Sequence, residues 1–203
     1  MLPRRKEPSC STTHDITPEV LSDTITFLKH YLQKGNQMLI VTKPHLECID
    51  EMTSRLTDWK DQILFRFTIG SSSDEVLKFW EPGAPDFTER LVALKLAYER
   101  GYETSISCEP MLDNNVEDLI AQVNPYVTDA IWIGKMNHPK GRLKINGGTE
   151  EDLEKIEELM AQHDDARITA IYNRYRYSPK IKWKESIKKI VGIEVPTEEG
   201  LDI

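Results

Sequence analysis

The stretch from Ile63 to Pro110 constrains the fold of this chain more than any other. It begins with the apolar run ILFRFTI and breaks at Gly70 into three serines. It resumes as a helical stretch carrying Arg90, Leu91, Leu94 and Ala97. Gly101 closes that helix, and Thr104 to Cys108 reads as a second strand before Glu109-Pro110. Strand, polar loop, helix and strand in this order make a β-loop-α-β unit, with parallel strands joined by a crossover. In parallel α/β folds, ligand-binding groups gather at the C-terminal ends of the strands. The polar residues after Ile69 therefore mark the end of the molecule where a site is expected.

The alternation continues on both sides of this unit. Thr17-Pro18 predicts an N-cap with proline in the first turn, and Leu21, Ile25, Leu28 and Leu32 keep helical spacing as far as Gly35. Met38 to Thr42 predicts a buried strand closed by Lys43-Pro44. Helices are expected over Leu46 to Trp59, Thr88 to Arg100, Asn115 to Val123, Glu150 to His163, Arg167 to Tyr177 and Lys184 to Val191, with a fourth strand at Asp129 to Gly134. Strands alternating with helices define an α/β fold of parallel strands. Four strands cannot close an eight-stranded barrel, so an open or partial barrel is expected. Thr12-Thr13-His14-Asp15 reads as the tail of a strand whose start is missing. The expected divisions are an irregular segment over 1–11, a partial barrel over 12–145, a helical extension over 146–191 and a loose tail over 192–203.

Composition narrows the class. A chain of 203 residues suits one domain that buries its own core. No apolar run approaches the roughly 18 residues of a membrane span. The N-terminus, MLPRRKEPSC, is basic without an apolar segment behind it, unlike a secretory signal. Cys10, Cys48 and Cys108 are too few and too scattered for a disulfide framework, so a reducing cytoplasm is expected. The net charge of −8 argues against a surface that binds nucleic acid everywhere. Arg167 to Lys189 nevertheless holds eight basic residues and one acid, interleaved with Tyr172, Tyr175, Tyr177 and Trp183. Aromatics that stack on bases and cations that meet phosphates would make this a nucleic-acid patch. The alternative is an amphipathic helix that covers the barrel and pairs with acids such as Glu150, Glu151 and Asp152, which the acidic whole favours.

The segment RFTIGSSSDEVLKFWEPGAPDFTERLVALKLAYERGY, with LIVTK and TTHD before it, resembles the radical S-adenosylmethionine (SAM) enzymes. The nearest branch is the spore photoproduct lyase-like, or DNA repair photolyase-like, group. The resemblance runs from about Thr12 to Asn137, and Glu81-Pro82-Gly83 followed by Arg90 is its most specific part. It implies a partial (β/α)6 barrel whose second to sixth strands end at TTHD, LIVTK, LFRFTIG, TSISCEP and AIWIGK. It also implies SAM and a [4Fe–4S] cluster held by a CxxxCxxC loop, with the cofactors carrying the hard chemistry. That loop is not in this sequence, whose cysteines stand 38 and 60 positions apart. The resemblance therefore implies the C-terminal part of a radical SAM enzyme without its first strand and cluster loop. The sequence is then a truncated reading or one half of a split protein, with an N-terminal half to carry the cluster. A cluster-free binding or scaffold module is the competing expectation.

Each candidate has two readings. Lys43, just past a strand, would pair with the SAM carboxylate, or is an ordinary solvated lysine. Thr68 and Arg66 share a strand face and would reach SAM oxygens, or Thr68 is there for β-propensity. Ser71, with Ser72 and Ser73, would touch ribose, or belongs to a loop and N-cap. Thr13 and His14 would line the mouth, although lone histidines are usually structural; Asp15 would line it too or cap the turn at Thr17-Pro18. Glu81 and Arg90 would form an ion pair that fixes their loop, or one would face the cofactor. Cys108 is a weak catalytic candidate, more commonly a small core residue. Cys48 reads as packing.

Overall fold

The computed structural model describes residues 10–11, 15–137, 139–141 and 149–195. Six parallel strands form one sheet in chain order: β1 (Cys10–Ser11), β2 (Met38–Thr42), β3 (Ile63–Thr68), β4 (Glu103–Cys108), β5 (Ile131–Ile133) and β6 (Ile181–Trp183). The two ends of this order, β1 and β6, are edges, so the sheet is open. Eight helices of seven residues or more accompany it among the described residues: α1 (Leu21–Leu32), α2 (Leu46–Arg55), α3 (Asp74–Trp80), α4 (Phe87–Glu99), α5 (Val116–Val123), α6 (Glu150–Gln162), α7 (Asp165–Tyr175) and α8 (Glu185–Val191). Connections that each advance by one strand, in the right-handed sense that such crossovers take, carry their helices on a single face of the sheet.

The strand sequences match that one-sided cover. In β2 and β3, buried residues alternate with partly exposed ones. The register aligns Thr42, Phe67, Ile106, Ile131 and Ile181 in one buried row across five strands. Full burial of a side chain such as Phe67 or Ile106 contributes on the order of 2 kcal/mol. The next row, on the opposite face, is Thr68, Ser107, Trp132 and Lys182. One face is therefore apolar and packed, and the other carries polar groups.

The structure adds elements and moves boundaries. Strand β6 separates α7 from α8 where helices alone are expected; its three residues alternate buried and half-buried, too short a run to register as a pattern. Helix α3 lies where a loop is expected. The helix predicted over Leu46 to Trp59 ends at Arg55 and continues as a 3-10 segment, Thr57–Gln62. Thr17-Pro18 forms a turn rather than the first turn of α1, which starts at Leu21. Strand β1 lies just before the predicted strand end, whose residues Thr12 to His14 are outside the described residues. Among the described residues, no helix is long and apolar enough to cross a membrane.

Candidate functional site

The loops that follow the strands are drawn tightly together. Leu112 N–H donates to the Gly70 carbonyl at 2.9 Å and Met111 N–H to the Gly134 carbonyl at 2.8 Å. A Cβ on Gly70 would stand 2.6 Å from the Pro110 carbonyl oxygen, and one on Gly134 would stand 2.9 Å from the Lys184 Cβ. Glycine is required at Gly70 because the Pro110 backbone passes directly over it, and at Gly134 because the Lys184 and Glu109 side chains close in on it. The loop after β4, which starts at the cis Glu109–Pro110 bond, is thereby held between those after β3 and β5.

Beside this junction opens a cavity of about 780 Å³, with Asp15, Lys43, Thr68, Trp80, Glu81 and Glu109 in its wall. Lys43 is the first residue beyond β2. Its Nζ donates to Asp15 Oδ2 at 2.9 Å and lies 3.9 Å from Glu81 Oε1, while its backbone N–H donates to Asp15 Oδ1 at 2.8 Å. Arg90, on α4, is 0% exposed and ties this wall to the interior. Its Nη1 donates to Glu81 Oε2 at 2.7 Å and to the Thr68 carbonyl at 3.1 Å, and its Nε donates to the Pro85 carbonyl at 2.8 Å. A buried guanidinium needs its carboxylate, and Glu81 supplies it while presenting its other oxygen towards Lys43. Burial would raise the Asp15 carboxyl, but the hydrogen bonds and charge of Lys43, with the charge of Arg90, outweigh it and hold Asp15 below the usual carboxylate range. The wall thus combines a half-buried lysine with several carboxylates.

Arg66 stands below the cavity, on the polar face of the sheet and largely covered. It donates to Ser105 Oγ at 3.2 Å, lies 3.8 Å from Asp129 and covers the Trp132 ring at 5.1 Å. Lys184 lies over the same ring at 5.2 Å and pairs with Glu109 at 3.2 Å. Ser71 is buried and donates to Asp113, Ser72 donates to Asp118 at 2.7 Å, and Ser73 caps α3. None of the three hydroxyls opens into the cavity wall. Thr13 and His14 lie outside the described residues. Trp80, Glu109 and Asp152, which line the cavity, carried no site expectation. The signal for Trp80 is local: Ser73 followed by Asp74 and Glu75 announces a short helix that ends on the cavity.

Among the described residues, the thiolates of an iron–sulfur site are not assembled. Cys108 is buried at the end of β4, with its sulfur 3.8 Å from the Gly70 carbonyl oxygen, and burial pushes its thiol far above the ordinary range. Cys48 is buried on α2, where burial and nearby carboxylates push its thiol up to about 11. Among the described residues, no three His, Cys, Asp or Glu side chains gather as a metal site. These residues do not fit a [4Fe–4S] cluster, and Cys108 packs as a neutral core group.

The basic C-terminal segment is largely engaged with the protein. Arg167 forms a two-pronged contact with Glu117 at 2.6 and 2.9 Å, and Lys180 donates to the Val127 carbonyl at 2.7 Å. Trp183 is buried against Tyr172. Acidic partners of this segment among the described residues include Glu117, Glu109 and Glu185. Tyr177, with Arg176 over its ring at 4.8 Å, is the aromatic that remains 84% exposed.

No protein-family model matches the chain. It is similar to the uncharacterized protein ORF301 of Acidianus two-tailed virus, with 24% identity over 168 residues that cover 72% of this chain and 55% of that protein. The chain thus spans about half the length of that relative. The fold and site define an open parallel α/β protein with an acid-rich cavity at its strand ends. That likeness carries no name for an activity.

Proposed function

We propose that this chain is the SAM-binding part of a radical-SAM-type half barrel, with the cofactor in the cavity at the strand C-terminal ends. The observation that carries the reading is Lys43, held on the cavity wall between Asp15 and Glu81. SAM bears one carboxylate beside an ammonium and a sulfonium, so it is a net cation with one anionic end. A wall of Asp15, Glu81 and Glu109 with a single well-placed lysine complements that charge pattern. Lys43 would take the carboxylate, the carboxylates would take the ammonium and sulfonium, and Trp80 would offer a face to adenine. The chain-order sheet of six parallel strands and the matching strand ends support the half-barrel assignment. When bound, SAM supplies an activated sulfonium; the residues named here bind and orient it. No step is assigned to an iron–sulfur cluster, since the described residues do not fit one. A cluster-bearing partner segment belongs to this proposal.

Calorimetric titration of the purified chain with SAM tests it. Binding is expected, and Lys43→Ala should weaken it about tenfold, the equivalent of ~1.4 kcal/mol. Absence of binding at millimolar SAM sinks the reading. Strong, salt-dependent binding of an oligonucleotide without any SAM binding would favour the scaffold alternative instead.

A further inference from the structure

The SAM cavity does not end at Trp80. Phe79, Trp80 and Leu112 also line a second cleft of about 280 Å³, between α3 and α6. Phe79 and Trp80 meet edge-to-face with centroids 5.0 Å apart, and Phe79 remains 38% exposed. Buried Leu159 of α6 adds to the apolar floor. The rim is acidic: Glu75, Asp113 and Glu158 surround the cleft, and its lysine, Lys155, lies 3.7 Å from Glu158. The two cavities together carry seven carboxylates against two lysines in their walls. Counting also Arg90 and Lys184, which bond Glu81 and Glu109, leaves the balance negative.

An apolar, aromatic-walled cleft with an anionic rim selects a ligand by both properties. An aromatic ring gains contact with Phe79 and Trp80, a cation gains from the rim and from the aromatic faces, and a polyanion is repelled. We infer that the cleft between α3 and α6 receives the second substrate of this site, a small molecule with an apolar or aromatic body and a cationic group. The inference rests on the SAM assignment for its place beside a cofactor, but its chemistry follows from this cleft alone. It separates the chain from substrates of the nucleic-acid class, whose phosphates the two rims would oppose.

The test uses three probes on the full chain at low salt, read by ligand-detected NMR and calorimetry: phenethylamine, 3-phenylpropanoate and an oligothymidylate. Phenethylamine should bind at least about tenfold more tightly than 3-phenylpropanoate, and added salt should narrow the gap. Phe79→Ala should weaken phenethylamine about tenfold, with an unchanged melting temperature showing that the variant folds. Glu75→Lys, on the exposed rim, should weaken it without touching the aromatic wall. Equal or tighter binding of 3-phenylpropanoate or the oligothymidylate, or phenethylamine binding unaffected by Phe79→Ala, overturns the inference. A parallel SAM titration separates the two proposals. Amine binding without SAM binding removes the cofactor reading alone, and SAM binding without amine binding removes this inference alone.

Discussion

Two polar segments follow β3, and they serve opposite ends. Ser71 to Ser73 is tied into the frame: Asp113, Asp118 and the α3 backbone take up every hydroxyl. Glu81 to Arg90 faces the cavity with an ion pair whose carboxylate is shared with Lys43. Both are runs of polar residues beyond a strand end, where a ligand is expected. The difference is where the hydrogen-bonding capacity goes. A hydroxyl matched by neighbouring structural carboxylates or backbone builds the frame, whereas a carboxylate that holds a buried arginine on one oxygen still presents charge with the other.

The largest effect expected of this contrast belongs to Arg90. Arg90→Ala leaves Glu81 without its buried partner and frees the Thr68 and Pro85 carbonyls, so it should cost about 3–5 kcal/mol of stability. Thermal and denaturant unfolding measure that loss, and SAM affinity should fall with it. Arg90→Met, of similar length and apolar, should cost less than alanine while still losing SAM affinity, because Glu81 then lacks its orientation. Full stability in Arg90→Ala would break the comparison.

On the other segment, Ser71→Ala removes a buried donor from Asp113 and should cost about 1–3 kcal/mol. SAM affinity should stay within about twofold of the parent once both proteins are folded. A tenfold loss of SAM affinity in Ser71→Ala, at unchanged stability, would put the serine loop in the site and undo the distinction.

Much of this was legible in the chain. The apolar runs of β2 to β4 and the spacing of α4 are strong periodic signals, and they placed the cavity at the correct ends of the strands. The bond between Glu81 and Arg90 was a foreseeable consequence of burying arginine. Arg66 shows where the reading stops. Period two puts it on the same face as Thr68, which lines the cavity, but does not say how far that cavity reaches down the strand; Trp132 and Ser105, far away in sequence, hold Arg66 two residues below the strand end. Trp80 and Glu109 were illegible for a similar reason. A seven-residue helix carries little periodicity, and only tertiary closure through Gly70 and Gly134 brings those side chains to one wall.

The smallest expected effect sharpens the same comparison through pH. His163, at the end of α6, is buried and its Nε2 lies 2.7 Å from the Asp113 carbonyl oxygen, on the same residue that Ser71 engages. Burial lowers its pKa below the ordinary 6.5, and the nearby charges of Lys135 and Arg167 add to it, against the raising pull of Asp113. Above 6.5, folded and unfolded chains both hold a neutral imidazole, and this group adds no pH dependence. As pH falls below that value the unfolded chain takes up its proton first, so stability declines until the folded imidazole also titrates. Melting temperatures at about pH 7.5 and about pH 5.5 should therefore drop for the parent and drop less for His163→Gln, by a few degrees at most for a chain this size. Asp15, on the cavity wall, should not contribute there, since it is held low and its stabilisation is lost only in more acidic solution. An equal drop in both proteins would show that the frame around Asp113 is not what weakens first in mild acid.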